Sequence, residues 1–353
     1  MSEADEGFEV LKQFVIDRGT CCGCGLCVTM CTKGLITFDG IPKLVGECTE
    51  CGRCNWNCPR LPSAETGEVI PPVPKAEGAI EDELVGPYTE LLGGEAAKSE
   101  ILERCQDGGA VTAILCACLE SGYIDGAIVT GIDPAQPWKA QPMIATTTDE
   151  IIAAAGTKYL YPAELSMIKK AIKESKLEKV AVVTRPCGCQ AVRKMQGSDK
   201  KAIRRMGEKV KILVGLFCME SFSDDFLQKE AVEKRGIPLE DIKKVNIKKD
   251  FIITPKSGEN VVIPMEEASS FIRDGCHHCA DFASEYADVS CGAVGTKGGS
   301  STIVVRNNTG KEIVELANSK GWLNIRTISE GALKVPHILS KRKKEHAKPI
   351  PSR

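Results

Sequence analysis

Beyond residue 86, short β-branched runs alternate with stretches whose apolar positions recur at helical spacing. Strands are predicted at 127–130, 143–146, 179–184, 210–217 and 302–306. Helical spacing fits 96–105, 110–120, 148–155, 163–174, 190–205, 222–234 and 311–320, and a polar, β-rich insert is expected at 242–263. Such alternation predicts an α/β fold with a mixed or parallel sheet covered by helices. Ahead of it the pattern is different. Leu35–Phe38 and Pro42–Val45 flank Asp39-Gly40, which reads as a hairpin on a turn dipeptide, and the apolar residues among the first twenty predict a strand or short helix.

Breaks in this pattern divide the chain. Residues 1–60 form a small unit, and 61–85, with Pro62, Pro71, Pro72 and Pro74, read as a semi-rigid linker. Residues 86–340 form the main domain, and 341–353 a basic tail, solvated or docked on an acidic or anionic partner. A length of 353 residues accords with two or three domains. The net charge of -2 and the 5% aromatic content exclude a nucleic-acid-binding surface from the expected functions. The longest apolar run, 110–119, stops at Glu120 and Ser121, too short to span a membrane. Met-Ser-Glu-Ala-Asp-Glu at the start is no basic-apolar leader, so the eighteen cysteines are expected to serve metal and redox chemistry in the cytoplasm. Attachment to the cytoplasmic face of a membrane would then come through partner subunits.

Eight of those cysteines lie in two copies of one spacing. Cys21, Cys24, Cys27 and Cys31 follow C-x2-C-x2-C-x3-C, and Cys48, Cys51, Cys54 and Cys58 repeat it, with Pro59 closing the second copy and Thr32 replacing the usual proline in the first. This is the bacterial two-cluster ferredoxin pattern, in which the fourth cysteine of each run serves the other cluster. Cys21, Cys24, Cys27 and Cys58 are expected to hold one 4Fe-4S cluster, and Cys48, Cys51, Cys54 and Cys31 the second. Zinc is the competing reading, but zinc motifs use separated C-x2-C pairs.

A second set is spread along the main domain. Cys187 and Cys218 follow predicted strands, and Cys276 and Cys279 form a C-x2-C around His277 and His278, which are taken as loop residues. Strand ends of an α/β sheet converge on one crevice, so these four thiols can meet, around iron or around a structural zinc. Gly108-Gly109 opens a helix, where exposed backbone N–H groups suit a phosphate, although many helices begin at glycine without a ligand. The GxGxxG fingerprint is absent, so a standard Rossmann dinucleotide turn is not expected.

Taken in order, Gly86-Pro87-Tyr88, Asp107–Thr112, Gly156-Thr157-Lys158-Tyr159, Arg185-Pro186-Cys187, Gly215–Cys218, Cys276–Phe282, Ala287-Asp288-Val289 and Gly292 resemble the flavoprotein beta subunits of coenzyme F420-reducing hydrogenase and formate dehydrogenase. The resemblance implies a small two-cluster ferredoxin domain followed by a mixed-sheet α/β flavoprotein domain. It implies FAD held by Gly108, Gly109 and Thr112, by Gly156, Thr157, Lys158 and Tyr159, and by Asp281, Phe282 and Asp288. Against this, Lys158 can be a surface lysine, and Asp281 and Asp288 simple caps. A third 4Fe-4S cluster is implied on Cys187, Cys218, Cys276 and Cys279. Where the family has Thr-Pro-Cys-Gln this chain has Arg185-Pro186-Cys187-Gly188-Cys189, so either cysteine can fill the position, and Cys187 is preferred.

The implied activity is oxidation of reduced coenzyme F420 by hydride transfer to FAD, with single electrons leaving through the clusters to other subunits of a membrane-bound complex or to free ferredoxin. No side chain is then needed as a general acid or base. F420 reduction for a hydrogenase or formate dehydrogenase is the same module run in reverse, and a flavin-free iron–sulfur wire is the alternative of another class.

Overall fold

A computed structural model describes residues 7–62 and 75–350. Eight strands form the central sheet in the order β13-β3-β12-β11-β7-β6-β4-β5. They are β3 (Glu90–Ala96), β4 (Gly126–Ile132), β5 (Ala140–Ala145), β6 (Val180–Thr184), β7 (Val210–Leu216), β11 (Val289–Gly292), β12 (Ser301–Val305) and β13 (Leu323–Thr327). The middle strands β11, β7, β6 and β4 are parallel, and antiparallel neighbours extend both edges, so the sheet is mixed as expected. Apolar side chains on both faces of the parallel strands account for their continuous apolar runs. On one face Ile114, Leu115, Ile313 and Val314, from the helices Ala110–Glu120 and Asn308–Ser319, pack on Ala127, Val129, Ile212 and Ile303. On the other, Ile168, Val192 and Met195 cover Ile128, Val182 and Leu213.

The expected insert is a three-stranded antiparallel sheet, β8 (Ile242–Ile247), β9 (Phe251–Pro255) and β10 (Val261–Ile263). Its core is the aromatic cluster of Phe222, Phe226 and Phe251, with ring centroids 4.7–5.6 Å apart. The N-terminal hairpin is also present, with β1 (Ile36–Asp39) and β2 (Ile41–Leu44) joined at Gly40.

Four expectations are corrected. The stretch 96–105 is not one helix: β3 runs to Ala96, and only Ser99–Leu102 is helical. A side chain at Gly94 would put its Cβ 2.4 Å from Ile303 Cδ1, so a glycine stands in a strand interior, where it weakens the sequence signal. The helix expected at 190–205 is two, Pro186–Gln196 and Lys201–Glu208, with Pro186 in the first turn and Gly197 at the end. Residues 341–346 are no tail but the end of the helix Lys334–His346. Of the linker, Pro71, Pro72 and Pro74 lie outside the described residues. Its later part is already fixed, because Ile80 pairs with Tyr88, Asp82 accepts from the amides of Leu84 and Val85, and Val85 is fully buried.

The N-terminal unit is seated directly on the main domain. Leu26 and Met30 join the core beneath the helix Pro186–Gln196. Thr29 Oγ1 donates to Leu165 O, Leu165 N to Cys24 O (3.0 Å), Lys169 Nζ to Cys31 O and Lys194 Nζ to Cys58 O. Arg273 Nε donates to Cys21 O at 2.7 Å. These bonds, not the proline segment alone, position the unit.

Candidate metal and cofactor site

Gly25 and Gly52, both with positive φ, open the one-turn helices Leu26–Met30 and Arg53–Trp56 and so let each cysteine run curl around a centre. Cys21, Cys24, Cys27 and Cys58 line one small hollow. Cys31, Cys48, Cys51 and Cys54 line another. Cys27 is influenced by Cys21 and Cys58, and Cys54 by Cys48, Cys51 and Cys31. The structure therefore brings the fourth cysteine of each run to the other group. Burial, reinforced by neighbouring thiols, pushes Cys54 up to about 12, and burial pushes Cys58 up to about 11. Such thiols become thiolates only when a metal takes the proton's place. Amides of Leu35, Phe8 and Glu50 already point at sulfur, donating to Cys31 and Cys48 at 3.2–3.4 Å.

The third group forms where β6 and β7 end. Cys187 lies at the start of the helix after β6, Cys218 follows β7, Cys276 lies within the 3-10 turn Asp274–His278, and Cys279 caps that turn. Cys218 is influenced by Cys276 and Cys187, and Cys276 by Cys187 and Cys279. Cys189 is fully buried and turned toward Ser284, Asp281 and Arg193. Geometry favours Cys187 as the fourth member. No three Cys, His, Asp or Glu among the described residues are set to hold a single metal ion.

Three basic groups around this third set carry no label in the sequence. Arg60 is 2% exposed, donates to His278 O (3.2 Å) and Gly275 O (3.3 Å), and sits among Cys22, Cys279 and Cys187. Arg185 pairs with Glu164 at 2.9 Å. Lys343, in the last helix, donates to Cys218 O. The Nε atoms of Arg60 and Arg185 are buried with no hydrogen-bond partner among the described residues. Orphaned guanidinium N–H groups aimed among thiols fit an anionic iron–sulfur cluster, whose sulfurs accept hydrogen bonds. Sequence reading also passed over Cys22, which is buried next to Cys187 and Cys24 and so lies between the first group and the third. Its only signal was the doublet Cys21-Cys22.

The residues assigned to FAD fall in three places. The loop Gly156–Tyr159 borders the segment that leads to Gly108 and Gly109, because Gly156 (φ 87°) approaches Arg104 O so closely that a Cβ there would sit 2.9 Å from it. β8 borders the same region, with Lys244 Nζ donating to Gln106 O at 2.7 Å and Gln106 Nε2 to Val245 O at 3.2 Å. Tyr159 donates to Asn246 Oδ1 at 3.5 Å and meets Phe251 edge-on. Gly108 itself is pressed against Gly94 O and Ser301 N, at 2.4 Å for an added Cβ, so close packing demands glycine there. Lys158 is no surface lysine. Its ammonium donates to the carbonyls of Ala154, Ala155 and Gly156, while burial pulls it down to about 8. Asp281 and Phe282 stand instead at the third thiol group, where Cys218 N donates to Phe282 O (2.9 Å) and Phe282 packs on Phe217. Asp281 accepts from Glu285 N, and burial pushes its carboxyl up to about 6. Asp288 is a bracing residue in the sheet, accepting from Arg193 at 2.6 Å, Leu213 N at 2.8 Å and Asn307 Nδ2 at 2.8 Å.

Comparison with known proteins gives these positions a context. Residues 91–173 match the family model for the N-terminal part of the coenzyme F420 hydrogenase/dehydrogenase beta subunit, and residues 177–331 match the model for its C terminus. The beta subunit of the coenzyme F420 hydrogenase of Methanothermobacter thermautotrophicus is 36% identical over 75% of this chain and 94% of its own. The coenzyme F420-dependent sulfite reductase of Methanocaldococcus jannaschii is 37% identical over 90% of this chain, which spans 49% of that protein's length. The F subunit of the F420H2 dehydrogenase of Methanosarcina mazei is 28% identical over 87% of this chain and 84% of its own. A solved chain of the F420-reducing [NiFe] hydrogenase complex from Methanosarcina barkeri superposes with a TM-score of 0.72, at 35% identity over 76% of this chain and 92% of that one.

Proposed function

The chain belongs to the family of coenzyme F420 hydrogenase/dehydrogenase beta subunits, and we propose from this that it oxidises reduced F420 by hydride transfer to FAD and delivers single electrons through three 4Fe-4S clusters to partner subunits. The observation that carries the reading is the meeting of Cys187, Cys218, Cys276 and Cys279 beside an N-terminal unit with two further thiol quartets. FAD, when bound, supplies the exchange between a two-electron hydride and one-electron carriers. The protein's residues bind and orient. Gly109, with φ 70°, leaves the first amides of the helix Ala110–Glu120 without a side-chain cap, so they are available to a phosphate. Lys158 ties the 156–159 loop to the end of the helix Thr148–Ala153, which fixes one wall of the same region. Phe217 and Phe282 pack ring to ring, with centroids 5.2 Å apart, next to the half-buried Cys218.

Among the relatives, the F subunit of F420H2 dehydrogenase supports F420H2 oxidation, and its match covers 87% of this chain against 75% for the hydrogenase beta subunit. The breadth of the sulfite reductase match favours a second reading, in which the same module feeds a different electron acceptor. Among the described residues no helix is long and apolar enough to cross a membrane, so attachment to a membrane complex would run through partners. Anaerobic purification with iron, zinc and flavin analysis tests the cofactor set. About twelve irons and one FAD per chain are expected from three cubane clusters. About eight irons accompanied by zinc would refute the third cluster.

A further inference from the structure

Arg60 and Lys343 both lie outside the residues matched by the family models, one before them and one after. Each is buried, at 2% and 7% exposure, and neither forms an ion pair with a carboxylate among the described residues. Their positions are fixed by neighbours. Arg60 is held by the carbonyls of Gly275 and His278. Lys343 is held by the carbonyl of Cys218, on a helix anchored through His337–Asp82 (2.7 Å), Lys344–Glu285 (2.8 Å) and Ser340 to Leu84 O. The groups able to carry negative charge around them are Cys22, Cys279 and Cys187 about Arg60, and Cys279, Cys218, Asp281 and Cys276, with Glu220, about Lys343. Arg185 is already neutralised by Glu164. The second thiol group is different, since the influences on Cys54 are burial and its fellow thiols, and Cys51 is exposed.

A buried cation with no carboxylate in ion-pair contact is costly unless another anion faces it. A cubane ligated by four thiolates is such an anion, and reduction adds one negative charge with no bond made or broken. We propose that Arg60 and Lys343 are positioning residues that set the reduction potential of the third site, their two fixed charges stabilising the added electron so that this site is reduced before the Cys48-Cys51-Cys54-Cys31 site. The inference rests on the functional reading above, in which the third site holds a 4Fe-4S cluster. It gives the two segments outside the family match a shared role, since each closes the third site from its own side and brings one positive charge to it.

The test is a potentiometric titration of the full chain followed by electron paramagnetic resonance. Lys343→Gln and Arg60→Gln are each expected to lower the midpoint of the third signal by about 59 mV, a tenfold change in its one-electron equilibrium, and to leave the second-group signal in place. Lys343→Arg and Arg60→Lys, which keep the charge, should titrate close to the unaltered protein. A third signal at its original potential in both glutamine variants would overturn the proposal. So would its loss from both, which would assign the two cations to cluster assembly alone. A protein that in unaltered form shows only two cluster signals would fail at the functional reading itself, a result distinguishable from either of these.

Discussion

Cys187→Ser is expected to remove about four of about twelve irons per chain and to stop electrons from reduced F420 reaching the two N-terminal sites, while flavin bleaching by reduced F420 persists. The expectation follows from the position of Cys187 at the meeting of four elements, with Cys218 and Cys276 both under its influence. A serine hydroxyl is a far weaker iron ligand than a thiolate. Cys189→Ser is the matched control. Its thiol faces Ser284 and Asp281, so iron content and electron delivery should stay as they are. Iron analysis with stopped-flow absorbance on both variants separates the two cysteines that sequence alone left as alternatives. Persistence of N-terminal reduction at the normal rate in Cys187→Ser would show that electrons take another route.

Gly275→Ala is expected to unseat the N-terminal unit. An added Cβ would lie 2.2 Å from Cys21 O, 2.6 Å from Cys21 C and 2.9 Å from Thr20 O, and all three are backbone atoms that a rotamer change cannot move aside. Arg273 holds Cys21 O from the other side, and Arg60 holds Gly275 O, so neither strand of the contact is free to retreat. Overpacking of this kind costs about 1–3 kcal/mol, and in a domain of this size each kcal/mol lowers Tm by about 2–4 °C. Calorimetry should show that loss. Stopped-flow reduction should show slower filling of the Cys21-Cys24-Cys27-Cys58 site. Unchanged stability and rates would mean that this backbone contact does not join the two units.

The parts of the molecule most legible from sequence were those in which a few residues carry a strict spacing. The two cysteine runs were the plainest signal, because thiols on one tight loop are close in sequence as well as in space, and the structure sets Cys58 beside the first run and Cys31 beside the second. The parallel strands were legible through their apolar runs. β3 was hidden by Gly93 and Gly94, whose lack of side chains is what lets Ile303 and Arg326 pack there. β11 and β13 are only four and five residues long, and their pairing comes from distant strands. The last helix read as a basic tail because its charges dominate its composition, yet Lys343 is buried and Ser340 and Lys344 are engaged by partners far back in the chain. Arg60 and Cys22 were unreadable for the same reason: what matters about them is a neighbour more than a hundred residues away, and no local pattern encodes it.

The central claim is that one chain joins hydride chemistry on F420 to three one-electron centres. Anaerobic titration of the purified protein with reduced F420, following flavin absorbance and electron paramagnetic resonance together, tests it most directly. The expected result is that the flavin bleaches and that signals from all three sites grow as F420 is oxidised. A protein that carries no FAD and leaves reduced F420 unchanged, while its clusters are still reduced by a chemical donor, would contradict the claim and leave an iron–sulfur wire.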